Sequence, residues 1–238
     1  MNDADGVLLS VRAEARQLAA PDYAVLDGLF EHTAGSKVEA VGSVAASLDR
    51  LTADLAALGG VPFDEATGRR PLTWSAYSSA TREESYHDQE TGRLERTGQV
   101  TATVTLQVTV RDLGALGDLG GVLAAHPGLN VHGMTWHVDW DNPAWPQVRA
   151  AAIGAAVGKA RDYAAALGAT LRQVEHIADA GLLGGDTAPD WRGRKSVGFA
   201  GSAGSGRPET PALNPVPQEL TATIEARFRT TEVSLPSA

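Results

Sequence analysis

From Val7 onward apolar side chains take every second position: Val7, Leu9, Val11, Ala13 and Ala15, with Ser10, Arg12, Glu14 and Arg16 between them. A repeat of two predicts a strand with one buried face. Pro21-Asp22 interrupts it and Tyr23 to Thr33 continues as a second strand, so the pair predicts an opening hairpin. Ser36-Lys-Val-Glu39 has capping-box spacing, in which the serine hydroxyl and the glutamate carboxylate each satisfy a free backbone amide. Behind it Val41, Val44, Ala45, Leu48, Leu51, Leu55 and Leu58 recur at steps of three and four until Gly59-Gly60, which predicts an amphipathic helix and its stop.

Residues 69–82 and 97–111 read as strands around a polar tip from Glu83 to Arg96. In the second, Val100, Ala102, Val104, Leu106, Val108 and Val110 share one face, and threonines with Gln107 share the other. Asp112 then caps a short helix carrying Leu116, Leu119 and Leu123, and Leu129 to Trp140 forms the next strand. Asn142-Pro143 opens a helix, with asparagine as cap and proline in the first turn. Along it Ile153, Ala156, Val157, Ala160, Tyr163, Ala164 and Leu167 gather on one side. That side is mostly alanine, so whatever it meets must approach closely. Leu171 to Ala180 reads as a strand, and Leu220, Ala222, Ile224, Ala226 and Phe228 alternate in a last one that should return to the main sheet.

Between these two strands Gly181–Pro217 is rich in Gly, Ser and Pro and has no periodicity. It reads as a long loop inside one domain spanning residues 1–238, because too little chain follows it to build a second core. Strands and helices alternate irregularly and include hairpins. The fold class is therefore α+β, with antiparallel and mixed sheets built from hairpin-helix-strand units, around residues 7–80 and 97–180, and packed amphipathic helices.

Composition narrows the function. Hydrophobic residues make up 43% and charged residues 21% of the 238, ordinary for a soluble globular chain. The formal net charge of -9 argues against nucleic acid as a partner. The absence of cysteine excludes disulfides, thiolate metal sites and cysteine nucleophiles. No stretch approaches the ~20 apolar residues of a membrane span. The chain starts with acids, and Ser10 and Arg12 break the apolar run that a secretory signal needs. As it stands it reads as cytoplasmic, or as periplasmic or secreted if a leader has been removed.

No enzyme active site can be read. Gly154 to Ala160 has the outline of a phosphate loop, but it is one residue short, lacks the Ser/Thr ligand and lies inside a helix. Gly201 to Gly206 is glycine-rich without a strand before it or a helix after it. His137, Asp139 and Asp141 form the best candidate for a divalent metal, although isolated histidines at strand ends are more often surface or core residues. No cofactor is implied. Trp136, Trp140 and Trp145 gather around one strand-to-helix turn, and Trp191 sits beside Arg192, Arg194 and Lys195. These are the candidate interaction residues, with core packing and solvated loop charge as the plainer readings.

The order of elements and several local signatures resemble the SIMPL domain (DUF541). Pro21-Asp22 matches the family's "PD" before its second strand. Val110-Arg-Asp-Leu resembles the "v-D-l" that leads from its second hairpin into a helix. Ala152, Ala155, Lys159, Ala160, Tyr163, Ala164, Leu167 and Gly168 fall on its alanine-rich helical signature. The resemblance implies a homo-oligomeric protein with no established catalytic chemistry, acting through assembly or an unidentified protein partner. Some bacterial relatives are implicated in stress tolerance, and most are exported. The alternative is an enzyme, or a small-ligand or metal-binding protein, whose site lies under the 181–217 loop.

Overall fold

The computed structural model describes residues 6–87, 89, 92–182 and 214–233. The elements run β1 (Leu8–Ala19), β2 (Tyr23–Ala34), α1 (Lys37–Ala57), β3 (Val61–Pro62), β4 (Leu72–His87), β5 (Leu94–Val110), α2 (Leu116–Ala124), β6 (Leu129–His137), α3 (Ala144–Ala166), β7 (Leu171–Asp179) and β8 (Gln218–Thr230). The protein is α+β, as its periodicities predict. Its described residues divide into two compact units: 6–20, 140–182 and 217–233 in one, and 21–139 with 214–216 in the other.

The second unit is a five-stranded sheet in the order β3-β4-β5-β2-β6, antiparallel except for the short β3–β4 pair. Helix α1 packs on its apolar face, and α2 packs beside α1 in the same core. Ser36 caps α1 as predicted, its hydroxyl accepting from the Glu39 amide. The stripe behind it buries Val44, Leu51 and Leu55 against Phe30 of β2 and Leu106 and Val108 of β5. Each such side chain contributes about 1.5–3 kcal/mol when taken fully out of water. Gly60 makes the exit from α1 workable, because a Cβ there would come within 2.8 Å of both the Leu55 carbonyl oxygen and the Trp74 ring. From Asp112, whose carboxylate accepts the Gly114 amide, α2 follows and buries Leu116, Leu119 and Leu123 as its spacing predicts.

The first unit is a three-stranded antiparallel sheet, β1-β8-β7, with β8 in the centre. Here the predicted opening hairpin is overturned. β1 pairs along its whole length with β8, while β2 pairs with β5 and β6. Pro21-Asp22 leads the chain from one sheet into the other, and the Asp22 amide bonds the His137 carbonyl instead of closing a turn.

Helix α3 starts where Asn142 predicts: its side-chain oxygen accepts the Ala144 amide at 2.9 Å, and Pro143 sits at φ -63. The buried face is a strict four-residue stripe of Val148, Ala152, Ala156, Ala160 and Ala164. It packs on Val11, Ile224, Ala226 and Phe228. Ile153 and Tyr163, expected on that face, are exposed. Alanine explains the shift, since without a large side chain the helix seats on whichever stripe brings the backbones closest. Gly168 ends α3 in the left-handed region at φ 67.

Candidate functional site

The two most distinctive short signatures meet at one end of the five-stranded sheet. Tyr23 and His137 are paired across β2 and β6, and their rings stack with centroids 4.9 Å apart. Arg111, just beyond β5, places its guanidinium 4.4 Å from the Tyr23 ring centre. The same guanidinium grips Asp139, with Nη1 donating at 2.6 Å and Nη2 at 3.4 Å, and Arg69 adds a third contact at 3.6 Å. Asp139 in turn donates its amide to the Asp22 carboxylate at 2.8 Å. Pro21-Asp22 and Val110-Arg-Asp-Leu thus lock together the entry to β2, the exit of β5 and the exit of β6. Both signatures stand out in the sequence, but nothing in it says that they touch.

This arrangement gives the proposed metal ligands other partners. The Asp139 carboxylate faces two arginines, and His137 Nε2 lies 2.9 Å from the Thr135 hydroxyl. Asp141 is exposed. Among the described residues no group of three or more His, Cys, Asp or Glu side chains stands at metal-binding spacing. What the cluster does is bind strand ends, through charge-assisted hydrogen bonds in a partly buried setting.

The tryptophans divide by environment. Trp136 is half-buried against the core of the second unit. Trp140 is 81% exposed, the most open of the large apolar side chains near the strand-to-helix turn. Trp145 is half-buried at the start of α3 with Arg149 5.6 Å from its ring centre. Trp191, Arg192 and Arg194 lie outside the described residues, as does most of the 181–217 loop. Lys159, from the phosphate-loop outline, ties α3 to β1 by donating to the Arg12 carbonyl.

A serine–histidine pair does form where no motif signals it. The Ser47 hydroxyl lies 3.0 Å from His32 Nε2 and accepts from Arg50 at 3.2 Å. Ser47 is only 2% exposed, so a substrate carbonyl has no approach to it. The contact joins α1 to β2 and satisfies a hydroxyl that burial would otherwise leave costly.

Two further features were not legible beforehand. The predicted polar tip is not a loop from Glu83: β4 runs on to His87 and β5 resumes at Leu94. β2 ends opposite Val100, so residues 84–87 and 94–99 continue as a two-stranded ribbon with no third strand beside it among the described residues. Polar cross-strand contacts carry the pairing outward, namely Arg96 with Glu83, Tyr86 with Glu95, and Thr97 with the Glu84 carbonyl. Tyr86 and Leu94 are exposed on this ribbon. At its base Thr101 donates to Glu84 at 2.6 Å, and Arg82 bonds the same carboxylate at 2.9 Å. The Thr101 hydroxyl first, then Arg82, hold the Glu84 carboxyl below the usual carboxylate range. The other feature is an open groove between α3 and β7, floored by Val157, Leu171, Val174 and Phe228.

The two sheets and their helices make this an α+β protein. Among the described residues no helix is long and apolar enough to cross a membrane. The chain belongs to the SIMPL family, described as a protein of unknown function (DUF541), whose family model matches residues 9–228. A search of curated proteins returned no match.

Proposed function

We propose that this SIMPL-family chain works by self-assembly, with the assembled surface engaging a protein partner and no reaction of its own. The carrying observation is the β4–β5 ribbon. A lone two-stranded ribbon is at best marginally stable in water, because it has no sheet face or helix to bury its side chains against. This one nevertheless reaches past β2 with Tyr86 and Leu94 52% and 69% exposed. Tyrosine, with only two side-chain torsions to fix, is a low-entropy anchor for an interface. Docking of a second copy on the Tyr86 face would bury that residue and supply the missing support. The outer edge of β4 beyond Trp74 is also unpaired by β3, which leaves backbone groups facing outward beside the ribbon.

Light scattering behind size-exclusion chromatography tests the reading. The full chain is expected to run as a multimer at micromolar concentration. A variant with residues 85–96 replaced by Asn-Gly should run at lower mass with its far-UV spectrum and main unfolding transition retained. A strictly monomeric full chain, or a shortened chain of unchanged multimeric mass, overturns it.

A further inference from the structure

Strand β7 is bent twice within nine residues. Its pairing with β8 skips between Leu171 and Gln173 and again between Val174 and His176, so Arg172 and Glu175 are bulged out of the ladder. Without those bulges, residues three apart would fall on opposite faces. With them, Leu171, Val174 and Ile177 sit opposite Thr230, Phe228 and Ala226, on the side of the sheet that faces α3. The strand is thus shaped to line up three apolar side chains. Yet α3 packs over β1 and β8 and leaves this part of β7 uncovered, with Val174 52% and Ile177 44% exposed.

The space beside Leu171 and Val174 is a groove of about 480 Å³, within the range of about 300–1,000 Å³ typical of small-ligand sites. Its rim is positive. Arg161 and Arg172 line it, and neither is in an ion pair among the described residues. Arg12, Arg16, Arg82, Arg96, Arg111 and Arg229 each hold a carboxylate, while Arg50 and Arg70 bond neutral oxygens and Arg149 lies over Trp145. Two unneutralised guanidiniums over an apolar floor, in a chain of net charge -9, select an anion that carries its own apolar body. A strand from a second copy fits less well, because bulges break the flat ladder that edge pairing needs.

We propose that the α3–β7 groove binds a single-chain anionic amphiphile, an alkyl carboxylate, with its chain along Val157, Val174 and Phe228 and its head on Arg161 and Arg172. The proposal uses no ribbon residue and does not rest on the assembly reading. Calorimetric titration of the full chain with decanoate below its micellar concentration tests it, with 1-decanol and acetate as probes lacking charge or tail. Decanoate should saturate at one per chain and bind more tightly than either control. Arg161→Gln combined with Arg172→Gln should weaken decanoate about tenfold or more, towards 1-decanol, which itself should change little. Val174→Asp should abolish binding. All three positions are exposed, and unchanged thermal melts would show that the variants fold. The proposal is overturned by absent or unsaturable decanoate binding, or by equal binding in the arginine double variant. It is equally overturned if Val174→Asp lowers the oligomer's mass while the unmodified chain takes up no decanoate, which would make the groove a contact between copies.

Discussion

Arg111 holds Asp139 through two nitrogens while its guanidinium lies over Tyr23, so one side chain joins an ion pair to an aromatic stack. Asp139 is 11% exposed and Arg111 26%, so neither group is fully screened by water. Asp139→Asn keeps the shape and removes the charge, and it should lower stability by about 1–3 kcal/mol in urea unfolding. Arg111→Ala should cost a similar amount. In a double-mutant cycle the two should couple by about 0.5 kcal/mol or more, and simple additivity would show that the clasp is not one unit.

Helix α3 sits on its sheet through alanines with no room to spare. Ala156 is fully buried between α3 and β8, which carries both Ile224 and Phe228. Ala156→Leu should therefore destabilise by about 1–3 kcal/mol through overpacking, where the same change on an exposed helical position would be close to neutral. Thermal unfolding of Ala156→Leu beside Ala155→Leu, an exposed neighbour, makes the comparison internal.

The start of the same helix hangs on one side chain. Removing the Asn142 oxygen that accepts the Ala144 amide should cost about 1 kcal/mol, and Asn142→Asp should recover most of it. Unfolding midpoints of Asn142→Ala and Asn142→Asp at neutral pH check both halves.

Glu84 supplies a pH-dependent prediction at the base of the ribbon. Its pKa is lowered in the folded protein, so folding favours the ionised carboxylate. The resulting stability is present above the carboxylate's unfolded pKa and disappears as pH falls through the lowered folded value. Thr33 and Thr101 hydroxyls lie 2.7 Å apart, and because Thr101 donates to Glu84 it must accept from Thr33. Thr101→Val breaks that relay and should raise the Glu84 pKa towards the usual range in an NMR titration. An unchanged midpoint would mean that Arg82 alone sets it.

Local pattern revealed what local physics decides. The period-two run in β5, the Ser36 hydroxyl cap, the α1 leucines and the Asn142 cap read correctly, because each depends on neighbours within a few positions, whereas Val41 and Ala45, expected on the same α1 stripe, are exposed. The partner of β1 did not. Val11 alternates as any strand would, and nothing near it says that Ala226 lies opposite. The face of α3 was misplaced by Ile153 and Tyr163, since large residues outweigh alanines in any periodicity although close approach prefers the alanines. β7 hid its apolar side because Leu171, Val174 and Ile177 are three apart, a spacing that suits a strand only after two bulges. The clasp was half legible: Pro21-Asp22 and Val110-Arg-Asp-Leu stood out, and only folding brings them to Tyr23, His137 and Asp139.

Placing β8 at the centre of the three-stranded sheet also sets an order of events. The Val7 amide donates to the Thr230 hydroxyl, 223 positions away. A ribosome adding about 5–20 residues per second releases β1 roughly 10–45 seconds before the strand that must lie beside it. Throughout that interval β1 has a row of unsatisfied amides and carbonyls and a half-apolar face, while residues 21–139 already contain everything their own sheet requires. The unit that begins first is therefore the one that closes last, and its early strand is the segment most in need of protection during synthesis.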